Sequence, residues 1–479
     1  MSFARLFAAA VIIAAPVVLC SWLFLKDLTP GGVLTIRHSV TDASPFIDRL
    51  LPDTRAINGE VIVDEPVYAA VHLPGEFETV TVDLFYENVS QPIVQVGFLA
   101  SEDPLQYVLE PLQNLLIDRS EWSRIEQDGL VLLQRYKVFE SIDAFLVDPP
   151  LRATIATFNT SLGTPFRIAD YSPTNTLQTV DVSLRGYHEL LTYVKDEPLM
   201  VQVDLQDMNR DFGEDPVELL IFNENDELVG SQSLADDGTI EATARGGAMR
   251  SVTVVLNDLP EGVYNVILKA PRDIFFRKII TRQRYLTFVG PIFLGDEVGY
   301  RDDVRPVNFF TDGKHVSFYT YHADAAQEVT IGGSEVRLPE AQVRYDHDVS
   351  EAGLVEVRAG ASDFTFTHDG KVAFRADQFF NPDPVGLNWN TDLDALGVNF
   401  IFADYLSPQV NDGLVHAQAT FDLHEVMTKD GEAKLVFSAP GIRSLQQQLT
   451  VHAIHLTFER PAMSGSAIWN KLWEFFRNV

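Results

Sequence analysis

The stretch "DLQDMNRDFGEDPVELLIF" concentrates oxygen side chains at a suggestive spacing. From Asp207 it reads D-x-N-x-D-x-x-x-D-x-x-E, so Asp207, Asn209, Asp211, Asp215 and Glu218 stand where positions 1, 3, 5, 9 and 12 of a twelve-residue calcium loop would fall. Hard cations take carboxylate and amide oxygens in clusters, and a sharp turn lets residues close in sequence converge on one point. The flanks "LMVQVDLQ" and "VELLIF" alternate like strands, and Phe212 stands where a helix–loop–helix site needs glycine, so an EF-hand is excluded. Two readings of the run remain: a calcium loop between strands, or a turn whose Asp and Asn side chains cap their own backbone.

A second acidic loop, "GDEVGYRDDVRP", offers Asp296, Glu297, Asp302 and Asp303, but Arg301 and Arg305 sit among them and internal ion pairing is the simpler account. His452 and His455 in "VHAIHL" are three apart, which on a regular strand sends them to opposite faces and away from a common metal. There is no G-x-S-x-G, no Walker-type glycine loop, no G-x-G-x-x-G and no H-E-x-x-H. The chain therefore reads as non-enzymatic, although 68 acidic residues would hide the carboxylate pair of a carbohydrate-active enzyme. For sugar stacking, the strand period puts Tyr319 and Tyr321 on one face, and Trp389 lies in the turn-rich "NPDPVGLNWNTD". The alternative for these aromatics is core or edge packing.

These residues need elements to hold them, and most of the pattern has a period of two. "GEVIVDEPVYAAVHLPGEFETVTVDLFYENV" alternates apolar and polar residues between Pro and Gly breaks, the mark of a string of strands. "DPLQYVLEPLQNLLIDRSEW" interrupts it with leucines at helical spacing. The rhythm predicts an all-β chain of three tandem β-sandwich domains, jelly-roll or Ig-like. They span 31–182 with short helical insertions, 183–290 (Ig-like) and 291–461 (jelly-roll-like), after a signal anchor and linker over 1–30 and before a tail helix over 462–479. The third domain's rhythm resembles carbohydrate-binding-like jelly-rolls of bacterial surface proteins, a likeness of fold that implies no function by itself.

Composition narrows the setting. The net charge is −32, which repels nucleic acid and anionic lipid and favours divalent cations. One cysteine, Cys20, rules out an intramolecular disulfide. Residues 7–25 form an uncharged apolar run, long enough to cross a hydrocarbon core of roughly 30 Å as a helix. An uncleaved transmembrane signal anchor with a cytoplasmic N-terminus fits its length better than a cleaved signal peptide, and Leu19 before Cys20 argues against lipidation.

At the other end, "SGSAIWNKLWEFFRNV" groups Ile468, Trp469, Leu472, Trp473, Phe475, Phe476 and Val479 on one side of an amphipathic helix. Such a short helix needs a partner surface: a membrane interface, the chain's own domain, or another protein. The expectation is a membrane-anchored, extracytoplasmic surface protein that binds a glycan, envelope polymer or neighbouring protein, with calcium as its cofactor. The alternative is a structural subunit of an envelope assembly.

Overall fold

The computed structural model describes residues 29–473 apart from breaks at 103–104, 175, 244–245, 296–304, 352, 467 and 471–472. The expected anchor (7–25) and second acidic loop (296–304) lie outside the described residues. No helix among the described residues is long and apolar enough to cross a membrane.

The chain is all-β, built from several sheets as the alternation predicts. Strand Leu199–Asp207 shows why: its burial alternates strictly, with Leu199, Val201, Val203 and Leu205 buried and Met200, Gln202, Asp204 and Gln206 half-buried on the other face. Where an expectation fails, tertiary pairing outweighs local propensity. The leucine-rich 103–122 segment is not a helix but strand Leu105–Asn114, closed by one helical turn, Leu115–Asp118. It pairs along its length with Ile93–Glu102, whose Val94, Val96 and Phe98 are buried, so the leucine spacing is overridden by a ladder partner.

The sheets do not follow the chain in order. A seven-stranded sheet joins Val33–Ser39 and Thr79–Asn88 to Leu414–Asp422 and Leu449–Glu459. The five-stranded sheet facing it joins Val67–His72 and Ile93–Glu102 to Glu432–Ser438. One core lies between them, from Ile36 and Val82 to Phe437 and Leu456. A further five-stranded sheet combines Leu130–Gln134 and Ile155–Phe158 with Phe400–Asp404. The pairings thus run across the boundaries read from strand rhythm: residues 409–459 complete the N-terminal sandwich instead of closing a third domain. The pattern is nested, with the first and last described strands together in the outermost unit.

The interior of the sequence forms the innermost units. Strands Gln178–Val180, Ile274–Thr281, Leu199–Asp207 and Arg250–Leu256 make one sheet of a central sandwich. Facing them, Leu228–Leu234, Val217–Phe222, Gly262–Lys269, His188–Val194 and Leu286–Val289 begin a ten-stranded sheet that continues through Lys371–Ala373 into Val307–Thr311 and beyond. The buried core likewise runs unbroken from the central sandwich to Phe309, Phe318 and Phe366.

The first and last described strands meet. Seven register pairs join Val33–Ser39 to Leu449–Glu459. Beyond them Arg460 N donates to Gly32 O and Met463 N to Pro30 O, both at 2.9 Å. Gly32 has φ +79° and packs so closely on the Arg460 carbonyl that a side chain there has no room. The tail therefore leaves the body beside the point where the chain enters it.

A candidate metal centre at the pole of the central sandwich

Three connections between the two sheets of the central sandwich meet at one end. They are Met208–Pro216, Ala235–Met249 and the turn before Ile274. The alternation that buries Leu205 also makes Asp207 the last inward-facing residue of its strand, so a carboxylate enters the pole where a hydrophobic side chain would otherwise close it. Asp273 arrives from the turn before the neighbouring strand, which pairs Ile274 with Asp207. Asp215 immediately precedes the Pro216–Val217 start of the facing strand. All three are buried, as is Asn209.

The loops are tied to one another by backbone. Met208 N donates to Asp273 O (3.0 Å), Thr243 N to Asn209 O (2.7 Å), Gly247 N to Asp207 O (2.7 Å) and Gly213 N to Ile240 O (3.2 Å). Asn209 takes the left-handed conformation (φ 48°) that lets the chain reverse there, and its N–H donates to Asp207 Oδ1 at 2.8 Å. Asp236 Oδ1 accepts from Asp215 N (3.0 Å), and its Oδ2 accepts from Gly238 N (2.7 Å).

The carboxylates outnumber their donors. Asp207 Oδ2, Asp273 Oδ1 and Asn209 Oδ1 are buried with no hydrogen-bond donor, a state that is costly for a neutral oxygen and more so for a charged one. Ligand oxygens of Asp207, Asp215 and Asp273 lie within 4.8 Å of one another, as do those of Asp207, Asp236 and Asp237. Calcium–oxygen distances of about 2.3–2.6 Å place opposite ligands of one ion roughly 5 Å apart, so each set fits a single ion. Burial pushes the Asp273 carboxyl up to about 7, reinforced by the charges of Asp215, Asp211 and Asp207. Asp207 and Asp215 are raised in the same way, burial first. Asp236 is held below the usual carboxylate range, chiefly by the Asp215 N–H. Protons or cations must relieve this cluster, and its all-oxygen donor set suits a hard divalent cation.

Of the residues read from the spacing, Asp207, Asn209 and Asp215 come together. Asp211 is exposed at the rim beside Asp273. Glu218 lies outside the site. The run continues as a strand, whose alternation turns Glu218 outward to pair with Lys269 directly opposite, Nζ to Oε2 2.6 Å. Sequence reading missed Asp236, Asp237 and Asp273. The only local trace of them was a "DDG" turn and an aspartate just ahead of a strand.

The other expected sites are not assembled in this way. Tyr319 and Tyr321 are neighbours, but edge to face (4.9 Å, 75°), with the Arg185 guanidinium over Tyr321. Trp389 packs against the core of the five-stranded sheet, its ring on the Gly441 backbone. His452 and His455 do not face opposite ways. A bulge between Val451 and Ala453 turns both outward, where His452 meets Glu87 and His455 packs at a tilt against Phe85. In the tail, Ile468 N donates to Ser464 O, Ile468 is half-buried, and Trp469 and Trp473 are 69% and 68% exposed. Leu472, Phe475, Phe476 and Val479 lie outside the described residues.

A second group of acids lines a cleft of about 890 Å³ around His315, Asn381 and Asn390. Asp312 accepts from Lys371 N (2.7 Å) and Asn381 Nδ2 (2.8 Å), and Asp369 from Lys314 N (2.7 Å) and His315 N (3.0 Å). Asp383 pairs with Lys371 (2.6 Å), Asp394 with Arg135 (2.6 Å) and Asp348 with His315 (2.7 Å).

No family model matches the chain, and no curated protein matches it. Among solved structures, capsid chains of infectious bursal disease virus align over 93% of this chain and 88% of theirs (Gt strain, 9% identity, TM-score 0.15), or over 71% and 78% (VP2 subviral particle, 10%, 0.17). Latent PorU of Porphyromonas gingivalis aligns over 73% and 34% (11%, 0.14). At such TM-scores the backbones do not superpose, and nothing about this protein follows from them.

Proposed function

We propose that the protein is a non-enzymatic, membrane-anchored extracytoplasmic scaffold whose central sandwich binds calcium and whose surface engages a neighbouring protein or envelope polymer. The observation that carries this reading is the pole of buried carboxylates without donors. A calcium-binding pole would fit that location, because calcium sites of extracellular modules work at about 10⁻⁴–10⁻³ M. The apolar run at 7–25 supplies the anchor. Residues 30–32 are bonded to Arg460 and Met463, and the tail beyond them carries two exposed tryptophans, which favours an assembly or membrane-surface role over glycan stacking.

The test is a thermal melt of the full-length chain in detergent, with EGTA and with millimolar calcium, alongside a variant carrying both Asp207→Asn and Asp273→Asn. A ligand at a hundred times its dissociation constant adds about 2.7 kcal/mol, which raises the midpoint by roughly 5–10 °C. The double variant is expected to melt alike in both buffers. Coincident melts of the parent in calcium and EGTA would refute the calcium reading.

A further inference from the structure

The pole contains two overlapping ligand sets, and they differ in setting. Asp207, Asp215 and Asp273 are all buried, whereas Asp236 and Asp237 are half-exposed, and Asp207 belongs to both sets. Resting on the calcium reading above, we infer that the pole holds two divalent cations, with the Asp207 carboxylate shared between an inner and an outer position.

Three features support the pair. The first is Asp207 itself: Oδ1 has the Asn209 N–H, but the buried Oδ2 has no donor, which leaves one oxygen of a central carboxylate to be satisfied by positive charge. The second is the charge balance. Six carboxylates gather here (Asp207, Asp215, Asp236, Asp237 and Asp273, with Asp211 at the rim) against the Arg250 guanidinium beside Asp236, so a single dication leaves three negative charges in a partly dry site, and a second brings the excess down to one. The third is the loop geometry on the outer side. A side chain at Gly247 would strike Asp237 Oδ2, so the bare glycine backbone is what lets this carboxylate approach the backbone next to the Asp207 carbonyl. Asn209 Oδ1, also buried and without a donor, is a further oxygen of the pole left unsatisfied.

The two positions differ in kind. The inner one is lined by three buried carboxylates and is the tighter and slower to exchange. The outer one uses Asp236, whose oxygens already accept two backbone N–H groups, and opens to solvent, so part of its coordination shell is water. That open side is where an anionic oxygen from outside the chain would enter.

Calorimetric titration of the chelator-treated full-length chain in zwitterionic detergent with calcium chloride decides the point, at about 0.15 M salt to screen diffuse attraction to the acidic surface. Two ions are expected in the parent, binding in two steps. Asp237→Asn, a change on a half-exposed residue that leaves the core intact, should abolish the weaker step and keep the tighter one within a few-fold. Asp273→Asn should abolish the tighter step. One ion in the parent would overturn the outer site and leave the calcium reading standing, while none would overturn both. Two ions persisting in D237N would refute the assignment to Asp237.

Discussion

The pole of the central sandwich and the cleft around His315 are both rich in aspartate, yet they are opposite kinds of site. In the cleft each acid named above has its own complement: a pair of N–H groups for Asp369, a backbone N–H and an amide for Asp312, a cation for Asp383 and Asp394. At the pole, oxygens of Asp207, Asp273 and Asn209 are buried with none. The two regions differ not in the number of carboxylates but in the shortage of donors around the buried ones.

Acidity tests this contrast with the largest effect. The folded protein holds the Asp273 proton up to about pH 7, well above the usual carboxylate value of 3.8. The associated stability is therefore fully present below about pH 4 and is lost as pH rises through 7. In EGTA the stability should fall across that window by on the order of 4 kcal/mol, seen as a falling midpoint, and saturating calcium should flatten the fall by taking the proton's place. Melts at pH 5, 6 and 7.5 check both arms, and a pH-independent midpoint in EGTA would show that the pole carries no such strain.

Breaking the cleft should give a smaller loss that ignores calcium. Asp312→Ala leaves Lys371 N and Asn381 Nδ2 without their acceptor and should lower stability by about 1–2 kcal/mol equally in calcium and EGTA, read by denaturant unfolding. A calcium-dependent loss would erase the distinction between the two regions. Smallest of all, Glu218→Gln removes only an exposed pair with Lys269 and should change stability by no more than about 1 kcal/mol, with calcium stoichiometry unaltered. Loss of an ion in that variant would restore the twelve-residue loop as the correct frame.

Legibility in the sequence follows how local each feature is. Alternation is a local property, and it gave the β class, as Leu199–Asp207 illustrates. Asp207, Asn209 and Asp215 were legible because one short connection brings them together. Asp273 and the Asp236–Asp237 pair were not, because sheet register alone places them beside Asp207, and a single chain does not display its pairing partners. Glu218 was misplaced by borrowing a spacing from a helical loop, when the segment after Pro216 has a strand's period. The 103–122 segment failed for a related reason: its leucine spacing suits a helix, but its partner strand is its neighbour in the hairpin. The boundaries at 182 and 290 came from rhythm, which marks where strands stop and not whom they join.

The nested pairing also sets a schedule for the growing chain. Among the described strands Val33–Ser39 emerges before all others, yet its ladder partner is Leu449–Glu459, the latest of them. At roughly 5–20 residues per second, the first strand waits some twenty seconds to more than a minute for that partner. Meanwhile the central sandwich, whose strands are all supplied between residues 178 and 289, has what it needs to fold. Assembly therefore proceeds from the middle outward, and until the final strand arrives the N-terminal sheet offers an open edge that a chaperone, or a neighbouring nascent chain, can occupy.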